Sequence, residues 1–191
     1  MAQPVAPRGA TYQDVLDAPA HRVAELVGGV LYTHPRPAPR HAFAETALAA
    51  ELEPPFRRGR GGPGGWVILV EPELHLGLTS DPDVVVPDLG GWRRERLPQM
   101  PDAAWFDLAP DWVCEILSPS TEAFDHGTKL AVYARAGVRH AWLVDPLEQM
   151  LEAYENDASV WRPRGTWRGE ARGRIAPFDA IELELAALWA H

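Results

Sequence analysis

Apolar and polar positions change their period along this chain, and each change marks an element. Thr11-Tyr12-Gln13-Asp14 has the spacing of a helix start, with Thr11 as cap and Asp14 three positions on. A short helix ending near Pro19 is expected. Glu25 to Tyr32 reads as a hairpin of two apolar runs around Gly28-Gly29, because glycine supplies the positive φ of tight hairpin turns. After a proline-rich loop, Pro35 to Pro39, the stretch His41 to Glu53 places Ala44, Leu48 and Leu52 at helical spacing, and Pro54-Pro55 is expected to stop it.

The second half alternates differently. Trp66 to Val70 is an apolar strand behind the glycine-rich loop Gly59 to Gly65, which lacks the ending of a phosphate-binding loop. Glu73 to Leu78 alternates with period two, as a half-buried strand does. After an Asp81-Pro82-Asp83 turn, Val84 to Val86 is a short buried strand ended by Pro87-Asp88. Residues 90–111 read as a long connection carrying Trp92 and Trp105. Trp112 to Leu117 is apolar on both faces, and Ser118 to Thr121 offers caps for a helix from about Glu122 to Ala136, ended by Gly137. His140 to Val144 and Met150 to Tyr154 pair across the Asp145-Pro146 turn, Ser159 to Trp161 adds an edge strand, and Ile181 to Trp189 docks apolar side chains. Strands punctuated by helices imply an α/β fold of the α+β kind, with helices packed on a central mixed sheet. One domain over residues 11–191 is expected, after a disordered lead-in at 1–10.

Composition narrows the class. The 191 residues are 46% hydrophobic and 24% charged, an ordinary globular mix. The single cysteine, Cys114, allows no intrachain disulfide, and no run approaches the length of a membrane span, so a cytoplasmic location is expected. The net charge of −9 argues against a protein that simply coats DNA, but carboxylates that hold cations add to such a count. Arg57, Arg58 and Arg60, and Arg93, Arg94 and Arg96, are the densest basic clusters. They are either solvated loops or nucleic-acid contacts.

Two carboxylates stand where the pattern does not want them. Glu115 lies in Trp112-Val113-Cys114-Glu115-Ile116-Leu117, on the face of Val113 and Leu117. An unpaired buried carboxylate is costly, so it needs a cation, a donor or an opening to solvent. Asp88 follows Val84-Val85-Val86-Pro87, either as an ordinary turn residue or as a second ligand to a hard cation. Lys129 follows Asp125 by four helical positions, which fits a surface ion pair. It also borders Val132, Tyr133 and Ala136, so its stem can lie along the core with its amine in a site.

Taken in order, Glu25-Leu26-Val27-Gly28-Gly29, His41, Val86-Pro87-Asp88-Leu89, the block Trp112 to Thr121, Asp125 with Lys129 and Tyr133, Gly137-Val138 and Trp142 to Pro146 resemble the signature of the Uma-type restriction endonucleases, a branch of the PD-(D/E)XK nuclease superfamily. The resemblance spans roughly residues 11–190. It implies a restriction-endonuclease-like core, hydrolysis of DNA phosphodiester bonds, and Mg²⁺ or Mn²⁺ held by Asp88 and Glu115. The superfamily's Glu-X-Lys tripeptide is absent, since Leu117 stands two places after Glu115; the resemblance moves the lysine to Lys129. It gives Glu25 as a further catalytic acid and His41 as a polar contact. The cation would activate water and bind the scissile phosphate, with Lys129 orienting that water or stabilising the transition state. Trp92 or Trp105 and the arginine clusters are candidate DNA contacts, whereas Trp66, Trp112, Trp142 and Trp189 suit core or interface. Eight tryptophans suggest aromatic surface covered by a partner, hence a homodimer.

Two other readings compete: a nuclease-like module that binds without cutting, and a metal-dependent hydrolase of a small phosphate ester. A Cys or Ser hydrolase fits poorly, because Cys114 is mid-strand without an adjacent base and Ser118 has no nucleophile elbow. No His-Glu-x-x-His zinc pattern occurs.

Overall fold

The computed structural model describes residues 9–77 and 82–189; most of the expected lead-in, together with Leu78 and Asp81, lies outside them. The first helix, α1 (Tyr12–Leu16), starts where the cap pattern places it: the Thr11 N–H and hydroxyl donate to Asp14 Oδ2 at 2.7 and 2.8 Å. The hairpin β1 (Arg22–Val27) and β2 (Val30–Pro35) turns at Gly28 and Gly29, with φ of 59° and 74°. Helix α2 (Pro39–Leu52) follows. It does not stop at Pro54-Pro55 as the prolines suggest. The chain widens into a π-type turn, Glu53–Arg57, closed by Arg58 N–H to Glu53 C=O at 3.1 Å. Pro54 and Pro55 are the second and third residues of that turn, and the wider hydrogen-bond spacing carries the chain past their missing N–H groups.

Next come β3 (Trp66–Val70), β4 (Leu74–Leu76), β5 (Asp83–Val85), β6 (Leu89–Arg93) and β7 (Trp112–Ile116). Strand β6 corrects the expected long connection over 90–111. Gly90-Gly91 looks like a loop in sequence, but the glycines make room for neighbours. A Cβ on Gly90 would stand 2.8 Å from Pro72 Cγ, and one on Gly91 3.0 Å from the Trp112 ring. The chain then runs helically through a wide turn, Phe124–Lys129, into α3 (Leu130–Arg135), which Gly137 ends at φ 81°. Strands β8 (His140–Asp145), β9 (Met150–Asp157) and β10 (Val160–Arg168) form a meander, and β11 (Arg172–Gly173) pairs with β12 (Leu183–Glu184) before a short 3₁₀ turn.

The strands form a mixed six-stranded sheet in the order β10-β9-β8-β7-β6-β3, in which only β7 and β8 run parallel, and a smaller sheet in the order β2-β1-β5-β4. This is the mixed sheet with packed helices that the strand pattern implies. Alternation on β7 sorts its side chains between two cores. Trp112, Cys114 and Ile116 join α2 and the C-terminal segment on one face; Val113 and Leu117 join α3 and the small sheet on the other. Fully burying each large apolar side chain contributes roughly 1.5–3 kcal/mol. Glu115 therefore points toward α3, and residues 86–88 carry the chain from the small sheet into the large one.

Five of the eight tryptophans (Trp66, Trp92, Trp112, Trp142 and Trp189) are buried in this chain, and Trp161 and Trp167 are half-buried. The aromatic argument for a covering partner accordingly loses its ground. No helix among the described residues is long and apolar enough to cross a membrane.

Candidate active site

The crossing segment is pinned by its backbone. Val86 donates its N–H to Glu25 Oε1 at 2.8 Å and accepts at its carbonyl from Lys129 Nζ at 2.9 Å. Pro87 has no N–H to satisfy. Asp88 then turns its carboxylate inward, where Oδ2 accepts the Ile116 N–H at 2.6 Å and Oδ1 meets His41 Nε2 at 2.8 Å.

Glu115 is held from the helix. Lys129 Nζ donates to Oε2 at 2.8 Å and the Tyr133 hydroxyl to Oε1 at 2.6 Å, both from one face of the helical segment. Lys129 also stands 3.2 Å from Glu25 Oε1 and 3.8 Å from Asp125 Oδ1. The expected i, i+4 pair with Asp125 exists, but it is the loosest of these contacts, and the lysine is buried within the site. All four residues singled out in the sequence, Glu25, Asp88, Glu115 and Lys129, line one cleft of about 390 Å³.

The charges are unequal. Glu25, Glu71, Asp88, Glu115 and Asp125 line this cleft against Lys129 and Arg36. Burial works against the charge on Lys129, but Glu115, then Glu25, Asp125 and Asp88 outweigh it and hold the amine well above lysine's ordinary range. Burial pushes Glu115 upward against the pull of Lys129, and pushes Asp125 up to about 6. Desolvation, then Asp88 and Glu71, raise Glu45 to about 7. A site with this surplus of carboxylates takes up protons or a cation. Its oxygen donors suit a divalent ion, and beside the cleft one buried oxygen, Glu45 Oε1, has no hydrogen-bond partner among the described residues. The residues thus fit the cation that the resemblance implies, with Asp88 and Glu115 as its proposed holders.

His41 makes the polar contact expected of it. Sequence reasoning missed Glu45, Tyr133's bond to Glu115, His34 beside Glu25 at 3.7 Å, and Arg36. Glu45 carried a signal: it falls on the stripe with Ala44, Leu48 and Leu52 that α2 buries.

The expected DNA contacts fare less well. Trp92 is fully buried, its indole N–H bonded to Leu108 C=O, and only Trp105 stays partly exposed, stacked on His75. The two arginine clusters meet, with Arg94 bonded to Arg57 C=O, but none of their residues lines the cleft. Their local partners are Glu53 for Arg57 and Arg58, the Trp66 ring for Arg93, and Asp111 for Arg96. They flank the Trp66–Arg93 end of the β3–β6 pair, whereas Asp88 adjoins its Val70–Leu89 end.

The family model described as "Uma2: Putative restriction endonuclease" matches residues 10–187. A crystal structure from Anabaena variabilis ATCC 29413, described as "a putative nuclease belonging to DUF820", has a TM-score of 0.75 against this chain at 21% identity, covering 94% of this chain and 97% of that one. At that identity the likeness is one of fold. No curated protein matches the chain.

Proposed function

The chain belongs to the Uma2 restriction-endonuclease family, and from that premise we propose that it is a cation-dependent endonuclease that hydrolyses DNA phosphodiester bonds at the Asp88–Glu115–Lys129 cleft. The observation that carries the reading is the buried Lys129 amine, 2.8 Å from Glu115 in a cleft that Asp88 also lines. An amine placed there from a helix stands in for the strand lysine that Leu117 displaces.

Mg²⁺ or Mn²⁺ would be held by Asp88 and Glu115, and when bound it supplies positive charge for a phosphate oxygen and acidifies water. Each carboxylate oxygen keeps a further lone pair beside its present hydrogen bond. The protein's own residues do the rest. Lys129, kept protonated by its carboxylates, offers N–H donors to negative charge developing on the phosphate. Tyr133 fixes the second oxygen of Glu115. Glu25 acts as a positioning residue, restraining both Lys129 and the Val86 backbone that leads to Asp88. Phosphate contact makes binding weaken with salt. We also propose that residues 11–191 act as one domain, and that two copies pair to cut both strands of a duplex.

The test is nicking of plasmid DNA with Mg²⁺ or Mn²⁺ by the wild type and Glu115→Gln. Cation-dependent nicking lost in the variant supports the reading. Equal nicking by both removes Glu115 from the site, and no nicking by either shifts weight to a non-cutting binding module.

A further inference from the structure

Asp88 is approached from both faces of the six-stranded sheet. Glu115 and Lys129 belong to the α3 side, while His41 and Glu45 come from α2 on the other. His41 and Glu45 are four residues apart, so the helix presents both on one face, toward the strand entry where Asp88 sits. The imidazole Nε2 lies 2.8 Å from Asp88 Oδ1, and one ligand atom from each of the three residues lies within 4.8 Å of the others. Glu45 is only 7% exposed, and its Oε1 is buried with no hydrogen-bond partner among the described residues. A protonated His41 answers Asp88 and still leaves that oxygen bare. A cation at the centre of the triad would engage all three groups at once.

The donor set also indicates which cation. Bonds of roughly 2.1 Å place neighbouring ligands about 3 Å apart and opposite ones about 4.2 Å apart, a spread close to the one seen here. Mg²⁺ favours oxygen ligands and its own waters, whereas first-row transition ions, Mn²⁺ among them, accept an imidazole nitrogen beside carboxylates more readily than Mg²⁺ does. We propose that His41, Glu45 and Asp88 form a cation subsite, distinct from the Asp88–Glu115 position and sharing Asp88 with it, that binds a first-row transition-metal ion such as Mn²⁺ in preference to Mg²⁺. The subsite adjoins the cleft of the nuclease reading through His41 and Asp88, which line it, and rests on that reading only for the neighbouring cation.

Binding is measured on the intact protein without nucleic acid, so its outcome separates from that of the nicking assay. Mn²⁺ is titrated against wild type, Glu45→Gln, His41→Gln and Glu115→Gln in excess Mg²⁺, following free Mn²⁺ by electron paramagnetic resonance. Far-ultraviolet circular dichroism and melting confirm that each variant is folded. The expected result is an Mg²⁺-resistant Mn²⁺ site in wild type that weakens at least tenfold in Glu45→Gln and in His41→Gln but persists in Glu115→Gln. Pulsed measurements on bound Mn²⁺ should show coupling to a directly ligated imidazole nitrogen, absent in His41→Gln. Unchanged Mn²⁺ affinity in folded Glu45→Gln, or no nitrogen coupling in wild type, overturns the subsite even if plasmid nicking succeeds. Loss of nicking with the Mn²⁺ site intact leaves the subsite standing and counts against the nuclease reading alone.

Discussion

Lys129 reaches Glu115 across fourteen positions of sequence, bringing Nζ 2.8 Å from Oε2 inside the protein. Strand β7 cannot supply that amine itself. Two places after Glu115 stands Leu117, an apolar residue buried in the α3-side core. The wide turn Phe124–Lys129 ends at the residue that delivers the charge, and Tyr133, one turn on, takes the other carboxylate oxygen.

Replacing the amine with an apolar chain of similar length tests this arrangement. Lys129→Met leaves Glu25, Glu115 and Asp125 without their common cation, and breaking a buried pair of this kind costs about 3–5 kcal/mol. A clear fall in the urea midpoint is expected, partly restored by millimolar Mg²⁺, with nicking abolished. A variant as stable as wild type in EDTA contradicts the reading of Lys129 as the counter-charge of the cleft.

Glu25 separates charge from hydrogen bonding. In Glu25→Gln the amide oxygen can still accept from Val86 N–H, so the crossing segment keeps its anchor. In Glu25→Ala that buried donor is orphaned, which costs about 1–3 kcal/mol. The alanine variant should melt lower than the glutamine variant and nick more slowly, because Asp88 is two residues beyond the loosened anchor. Equal melting temperatures for the two would show that Glu25 does not hold the segment.

How much of this was legible in the sequence depends on what each residue had to satisfy. Glu115 stood out because strand alternation buried it among apolar neighbours, and the hairpin showed because Gly28 and Gly29 require positive φ. Strand β6 was hidden because the same residue type, at Gly90 and Gly91, serves close packing against Pro72 and Trp112. Nothing local signals a neighbour distant in sequence. The second sheet was hidden for a related reason: β4 and β5 are each three residues long, and their pairing is decided by the tertiary fold. Glu45 sat in plain view on an apolar stripe, but its nearness to Asp88 depends on how α2 lies over the strand ends.

The packing role of Gly90 makes its own prediction. An added Cβ meets Pro72 Cγ at 2.8 Å and the Trp92 ring at 3.1 Å, both within the sheet's own packing. Gly90→Ala is therefore expected to cost about 1–3 kcal/mol through overpacking, read as a lower denaturation midpoint with unchanged slope. Stability equal to or above wild type would mean that the packing around Gly90 yields to a methyl group and does not require glycine.

Asp125 ties the site to pH. Its carboxyl is pushed up to about 6, chiefly by burial, with Lys129 and a Thr121 hydrogen bond pulling the other way. In the unfolded chain an aspartate titrates near ~4. Between those values the folded state binds more protons than the unfolded one, so stability falls as pH rises through the window and is fully present only below it. A shift of this size corresponds to on the order of 3 kcal/mol at most, and in a chain of this length each kcal/mol moves the melting temperature by roughly 2–4 °C. Asp125→Asn removes the titration while keeping the shape. Melting curves in EDTA should therefore coincide with wild type near pH 4 and lie several degrees higher near pH 7. Profiles that run parallel across the whole range would place the cost of this cleft's surplus charge elsewhere, on Glu45 or Glu115.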